Sequence, residues 1–122
     1  MQTVLNKVNL AEKFSQFQEY WRPKIVGELN DVCVKLVKLK GEFVWHLHES
    51  EDELFLVVKG RLVIKLRDGE IVLNEGEFAI LPHGVEHCPV AEDEAQVILL
   101  EPKTTLNTGN VRNERTVEAE WI

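Results

Sequence analysis

An all-β barrel or sandwich preceded by one short helix is the fold class that this sequence predicts. Between Val32 and Leu100, short runs rich in Val, Ile, Leu and Phe are broken about every ten residues by a Gly, Pro or Asp signal. In one of these runs Leu62, Ile64 and Leu66 alternate with Arg61, Val63, Lys65 and Arg67, the period of a strand with one buried face. At 122 residues the chain has the length of one globular domain, and it shows no repeat of solenoid size.

The helix comes first. Asn9 precedes LAEKFSQF, with Glu12 at the capping-box position and Leu10, Phe14 and Phe17 at helical spacing. Tyr20-Trp21-Arg22 and Pro23 end it, and Gly27 to Asp31 reads as a turn or an irregular start of a strand. The clearest hairpin spans Leu62 to Leu73, with Asp68-Gly69 as a tight type I′ turn. Gly41, Gly60 and Gly76 mark boundaries, and the polar tail from Lys103 to Glu120 reads as a surface arm.

Fourteen Lys and Arg against 21 Asp and Glu give a net charge of -7, which argues against nucleic acid as a partner. Lys35, Lys38, Lys40, Lys59, Arg61, Lys65 and Arg67 are scattered along predicted strands, as on a solvated sheet surface. No run reaches the ~18 apolar residues of a membrane span, and MQTVLNKVNLAEKF lacks the pattern of a signal peptide. The expectation is a soluble, cytoplasmic protein with no membrane partner. Cys33 and Cys88 stand far apart without a C-x-x-C, which fits a reducing compartment.

All four histidines fall between positions 46 and 87. His46 and His48 sit in FVWHLH, and residues two apart on a strand share a face with Cα atoms roughly 6.5 Å apart, close enough to converge on one ion. A short connection then leads into ELFLVVKG, so a carboxylate from Glu49, Glu51, Asp52 or Glu53 falls beside them. Glu53 has the best claim because it opens the strand in phase with Phe55 and Val57, leaving Leu54, Leu56 and Val58 outside. Pro82-His83-Gly84 forms a turn that re-aims the chain before His87, and His83 itself reads as a turn residue. Burying His46, His48, Glu53 and His87 uncompensated would cost several kcal/mol, whereas an ion satisfies them together.

At these residues the chain resembles the cupin superfamily. Its first motif reads from Gly41 through His46, His48 and Glu53 to Gly60, and its second is matched by Gly76, Pro82, Gly84 and His87. Four residues rather than the commoner five separate Gly41 from His46, and Ala91 stands where the second motif often ends in Asn. The resemblance covers about residues 30 to 101. It implies a double-stranded β-helix (jelly-roll) barrel there, between an amino-terminal helix and arm (1–29) and a carboxy-terminal arm (102–122). It also implies that His46, His48, Glu53 and His87 are metal ligands.

Such a ligand set calls for one divalent transition metal, Fe, Mn, Ni, Cu or Zn. The function expected is a small metalloenzyme of dioxygenase, isomerase or decarboxylase type acting on a small organic acid, sugar or diol. The alternative is a non-catalytic metal or small-ligand binding module. No second catalytic group stands out, since Tyr20 lies outside the matched region and His83 and Glu86 flank the mouth as turn residues. A homodimer is expected from the outward residues Phe43, Trp45, Leu47, Leu54, Leu56 and Val58, an apolar set too large to leave wet.

Overall fold

In a computed structural model, which describes residues 5–122, the organising element is one long strand, His87–Pro102, that borders three others. The chain runs α1 (Leu10–Phe14), β1 (Lys24–Leu29), β2 (Val32–Glu42), β3 (Glu53–Lys59), β4 (Leu62–Leu66), β5 (Gly69–Leu73), β6 (Phe78–Leu81), β7 (His87–Pro102) and β8 (Glu120–Trp121). The order β5-β4-β7-β2-β1-β8 forms the main path, and β3 lies between β7 and β6. All pairings are antiparallel except β1 with β8. The first residues of β7 pair with β4 and its last with β3, so both ends of β7 line one interior.

Period-two burial sets the faces. Along β3 the residues Glu53, Phe55 and Val57 are buried, and their neighbours Leu54, Leu56 and Val58 are half-buried outside. The inner face gathers Val37, Leu39, Phe55, Val57, Leu62, Ile64, Leu73, Leu81, Ala91, Ala95, Val97 and Leu99 into one core. On the outer face, α1 and the residues after it lay Phe14 and Phe17 over Leu36, against Val58 and Ile98. Asn9 caps the helix by accepting from the Glu12 N–H at 2.9 Å, but the helix ends at Phe14 and Phe17 lies beyond it.

Several expectations are corrected. Outside residues 30–101, whose bounds remain an expectation, β1 and β8 add to the sheet, β1 pairing with β2 and β8 with β1. Asn30, at φ 55°, sits in the β1–β2 turn. The Leu62–Leu73 hairpin stands, but Leu66 pairs with Gly69, so Arg67 and Asp68 make the turn and neither has the positive φ of type I′. Matching Leu62 with Leu73 and Ile64 with Ile71 keeps both apolar rows on the inner face, and that fixes the register.

Lys35 and Lys38 are not on a wet surface: both are buried, Lys35 against Glu101 and Lys38 with its Nζ donating to the Phe17 carbonyl at 2.7 Å. The tail after Lys103 is not a loose arm either. Thr105 and Thr108 are buried in it, and Ile122 packs on the outer cluster. Among the described residues no helix is long and apolar enough to cross a membrane.

Candidate metal centre

The FVWHLH segment is not a regular strand. His46 makes a single two-way bridge with His87, each N–H donating to the other's carbonyl at 3.0 and 2.9 Å, which brings the two distant histidines side by side. The turn after Pro82 is held in place when the Gly84 N–H donates to the His48 carbonyl at 2.8 Å. Gly84 has φ +81°, the left-handed backbone that suits glycine there.

Between His46 and His48, Leu47 is gripped by the carboxy-terminal segment. Its N–H donates to Asn110 Oδ1 at 2.9 Å, and the Asn110 N–H donates to its carbonyl at 3.0 Å. Gly109 makes the approach possible: a Cβ there would lie 2.2 Å from the Leu47 oxygen and 3.0 Å from the His46 ring.

The imidazoles of His46, His48 and His87 offer ligand nitrogens that all lie within 4.8 Å of one another, and all three residues are buried. Donors bound at about 2.1 Å to one ion stand at most ~4.2 Å apart, so the cluster needs only a small closing adjustment to share one. Nδ1 of His46 lies 2.9 Å from the Val44 carbonyl, and Nδ1 of His87 lies 2.9 Å from the Val85 carbonyl. A carbonyl can only accept, so each Nδ1 carries the proton and each Nε2 keeps its lone pair.

Glu53 closes one side. Its Oε1 lies 3.4 Å from His48 Nε2 and 3.7 Å from His87 Nε2, and it is not part of the mutually close set with His46. Burial pushes the Glu53 carboxyl up, but the adjoining Glu101, His48 and His87 outweigh this and hold it well below the usual range. His46 is pushed down to about 4, first by burial and then by the neighbouring His87. Its imidazole is therefore neutral, the form that binds metal.

Both ring nitrogens of His48, Nε2 of His87 and Oε1 of Glu53 are buried without a hydrogen-bond partner among the described residues. Orphaned lone pairs at one point are what a bound cation satisfies, so the donor set fits a metal.

A cavity of about 40 Å³ adjoins the centre. Val37, Leu39, Phe55 and Leu99 form its apolar wall, and His46, Glu53, Glu101 and Asn107 its polar end. Trp21 and Phe43 stack at its edge with ring centroids 4.7 Å apart, and Phe43 meets His46 edge-on at 5.5 Å. Phe43 was expected outside; because its segment leaves the regular pleat, the ring turns inward. Trp45 lies under the Arg67 guanidinium at 3.8 Å, Leu47 is held by Asn110, and Val58 packs with the outer cluster.

The remaining candidates lie elsewhere. His83 is exposed and bonded to Asp52 at 2.9 Å, Tyr20 donates to Glu94 at 2.8 Å, and Glu86 pairs with Arg67. Glu51 accepts from Thr104. Sequence reasoning missed Glu101, Lys35, Asn107 and Asn110. Glu101 was findable in QVILLEP, where it shares the parity of Val97 and Leu99, and Lys35 in the same way with Val37 and Leu39. Nothing local marks Asn107 or Asn110.

Comparison with known proteins agrees with this geometry. Residues 35–102 match the family model of the cupin domain. The chain is 37% identical over 89 residues to the Bacillus subtilis protein YdbB, covering 71% of this chain and 73% of that one. A cupin-2 domain containing protein from Shewanella frigidimarina superposes with a TM-score of 0.77 at 46% identity, over 78% of this chain and 93% of that one. Protein NMB1881 from Neisseria meningitidis gives 0.74 at 32%, over 80% and 99%. With the jelly-roll barrel, the two motifs and the buried histidine cluster, the chain belongs to the cupin family.

Proposed function

We propose that the protein binds one divalent transition metal through His46, His48, His87 and Glu53 and acts there on a small oxygen-bearing organic molecule. The observation that carries this reading is the pair of Nδ1 hydrogen bonds that leave two Nε2 lone pairs facing a third buried imidazole and an ionised carboxylate. A metal so held supplies Lewis acidity, or electron exchange if it is iron or manganese. The chain's own residues do the rest: the apolar wall excludes water, and the Trp21–Phe43 stack borders the space. A cavity of about 40 Å³ admits only a few non-hydrogen atoms, so it is the reacting end of a small organic acid, diol or sugar that would enter it.

A non-catalytic binding module is the second reading. It is favoured by the engagement of Tyr20, His83 and Glu86 in surface contacts, away from the centre. Elemental analysis of purified protein tests what both readings share: about one divalent ion per chain is expected, with His48→Ala losing it. Full occupancy in a His46→Ala, His48→Ala double variant would overturn the metal centre. Dioxygen uptake or turnover with a panel of diols and oxo-acids separates the enzyme from the module.

We also propose that two copies pair through the outer face of β3, β6 and β7. Leu54 sits beside Ile80 and Leu100, and Leu56 beside Phe78 and Ile98, so this apolar set shares one face. Phe78 and Ile80 remain 59% and 57% exposed, and β6 has a single paired neighbour, β3. An edge strand with an apolar face suits an isologous contact, in which the same surface meets itself across a two-fold axis. Phe78→Glu with Ile80→Glu should yield monomers with the metal content unchanged. Light scattering that shows a 14.0 kDa wild-type particle at high micromolar concentration would refute the dimer.

A further inference from the structure

The cavity beside the histidines holds only a few non-hydrogen atoms, so the rest of any molecule that reacts there lies outside it. Trp21 lines both this cavity and an outer recess of about 240 Å³, whose charged walls are Arg22, Glu114 and Arg115. Phe43, stacked on Trp21, links the two spaces. Its ring meets His46 edge-on at 5.5 Å, and the Arg115 guanidinium carbon lies over it at 5.7 Å.

The backbone at Arg115 is pinned in this place. Asn107, on the wall of the inner cavity, donates from Nδ2 to the Arg115 carbonyl at 2.8 Å and accepts from the Val117 N–H at 3.0 Å. The Arg115 N–H donates to Asn113 Oδ1 at 2.8 Å. Its side chain is half-buried and has no such partners. Nη1 is buried without a hydrogen bond, and no carboxylate among the described residues pairs with the guanidinium, in a chain with 21 Asp and Glu for 14 Lys and Arg. Arg67 shows the ordinary arrangement: it too covers an aromatic ring, that of Trp45, but it is paired with Glu86. Contact with an aromatic face is worth about 0.5–2 kcal/mol, which does not replace the hydrogen bonds that a half-buried guanidinium gives up on leaving water.

A carboxylate completes such a group. A guanidinium offers five N–H donors in a planar fork, accepts nothing, and matches two carboxylate oxygens at once. The inner cavity is bordered by Glu53 and Glu101, so a carboxylate that is not bound to the metal is better placed at Arg115. We propose that Arg115 binds the carboxylate of a small organic acid whose other end enters the inner cavity, which makes an acid, rather than a neutral diol or sugar, the substrate class of the centre. This inference rests on the reading of His46, His48, His87 and Glu53 as a metal centre and narrows it. Arg115 supplies no ligand atom to the ion.

The test uses the full chain loaded with cobalt(II) at pH 7, with binding read from the cobalt absorption spectrum. The probes are succinate, glutarate and adipate, each against the monocarboxylate of equal carbon number, butyrate, pentanoate and hexanoate. Both members of a pair can ligate cobalt through one carboxylate, so their difference reports the second. For at least one length the dicarboxylate should bind about 10-fold tighter or more, the worth of a hydrogen-bonded contact between charged groups. Arg115→Gln should reduce that preference to within about threefold, and Arg115→Lys should keep part of it, because an ammonium retains the charge without the fork. Arg112→Gln removes the same charge from an exposed position three residues away in the chain, and should keep the preference whole. Cobalt affinity should stay within about threefold of wild type in all three variants. No preference at any length in the wild type would overturn the proposal, as would a preference that survives Arg115→Gln or is lost equally in Arg112→Gln. Loss of cobalt from Arg115→Gln would make the residue part of the frame of the centre and would overturn the proposal too. Failure of the wild type to bind cobalt would instead overturn the metal centre itself.

Discussion

Two halves of one barrel interior, built on the same strands with the same alternation, carry opposite chemistry. In one half Val57, Leu62, Ile64, Ala91, Ala95 and Val97 are fully buried and apolar. In the other, His46, His48, His87, Glu53, Glu101 and Lys35 are buried almost as completely. Strand β7 shows the change within a single element: His87 opens it, Glu101 stands at its far end, and the inward positions between them include Ala91, Ala95, Val97 and Leu99. Alternation decides which face a side chain occupies, and the polar positions along that face decide where function sits. The apolar half contributes stability through area removed from water, whereas the polar half is satisfied only when its lone pairs and charges meet partners.

The sharpest way to break this division is a deletion in the apolar half. Leu62 is fully buried and faces Leu73 at the hairpin, on the stability side of the barrel. Leu62→Ala should lower the unfolding free energy by about 2–5 kcal/mol, the range for a buried Leu that leaves a cavity. Its metal affinity should stay within about threefold of wild type, as expected for sites without shared partners. Urea unfolding and a metal titration on the same preparation check both. A variant that stays folded yet loses the ion would mean that the two halves are coupled.

The apolar half was legible in the sequence because burial follows a period of two, and Leu62, Ile64 and Leu66 declare it without help from distant residues. The histidine cluster was legible for a different reason: ligand chemistry restricts residue type, so His46, His48 and His87 stand out even though their segments meet only in three dimensions. Where reading failed, the cause was a contact made at long range. Phe43 turned inward because the Gly41–His48 segment is pinned by His87 and Asn110 rather than by a continuous ladder. Lys35 and Lys38 read as surface charge because an isolated Lys gives no sign of a buried partner 66 residues away at Glu101, or of the Phe17 carbonyl. The carboxy-terminal segment read as a free arm because Thr105, Thr108 and Gly109 signal a close fit only once Leu47 is opposite.

A smaller effect separates the halves by pH. His46 titrates near 4 in the folded metal-free protein, chiefly because it is buried and then because His87 adjoins it, against about 6.5 when the chain is unfolded. Between those values the unfolded chain holds a proton that the folded chain refuses, so lowering the pH favours unfolding. The contribution is complete above pH ~6.5 and is lost as pH falls toward ~4, roughly 3 kcal/mol in all. Nothing among the apolar core residues titrates. Glu101, pushed above the ordinary carboxylate range chiefly by burial, shifts stability the other way in the same window, so the His46 contribution is read against a variant: between pH 7 and pH 4.5 metal-free wild type should lose a few kcal/mol more than His46→Leu in urea unfolding. Metal-loaded protein should show a steeper fall over the same window, because the ion binds only neutral imidazoles. The same pH dependence in metal-free wild type and His46→Leu would show that His46 is hydrated in the folded state, and would remove the sharp boundary between the two halves.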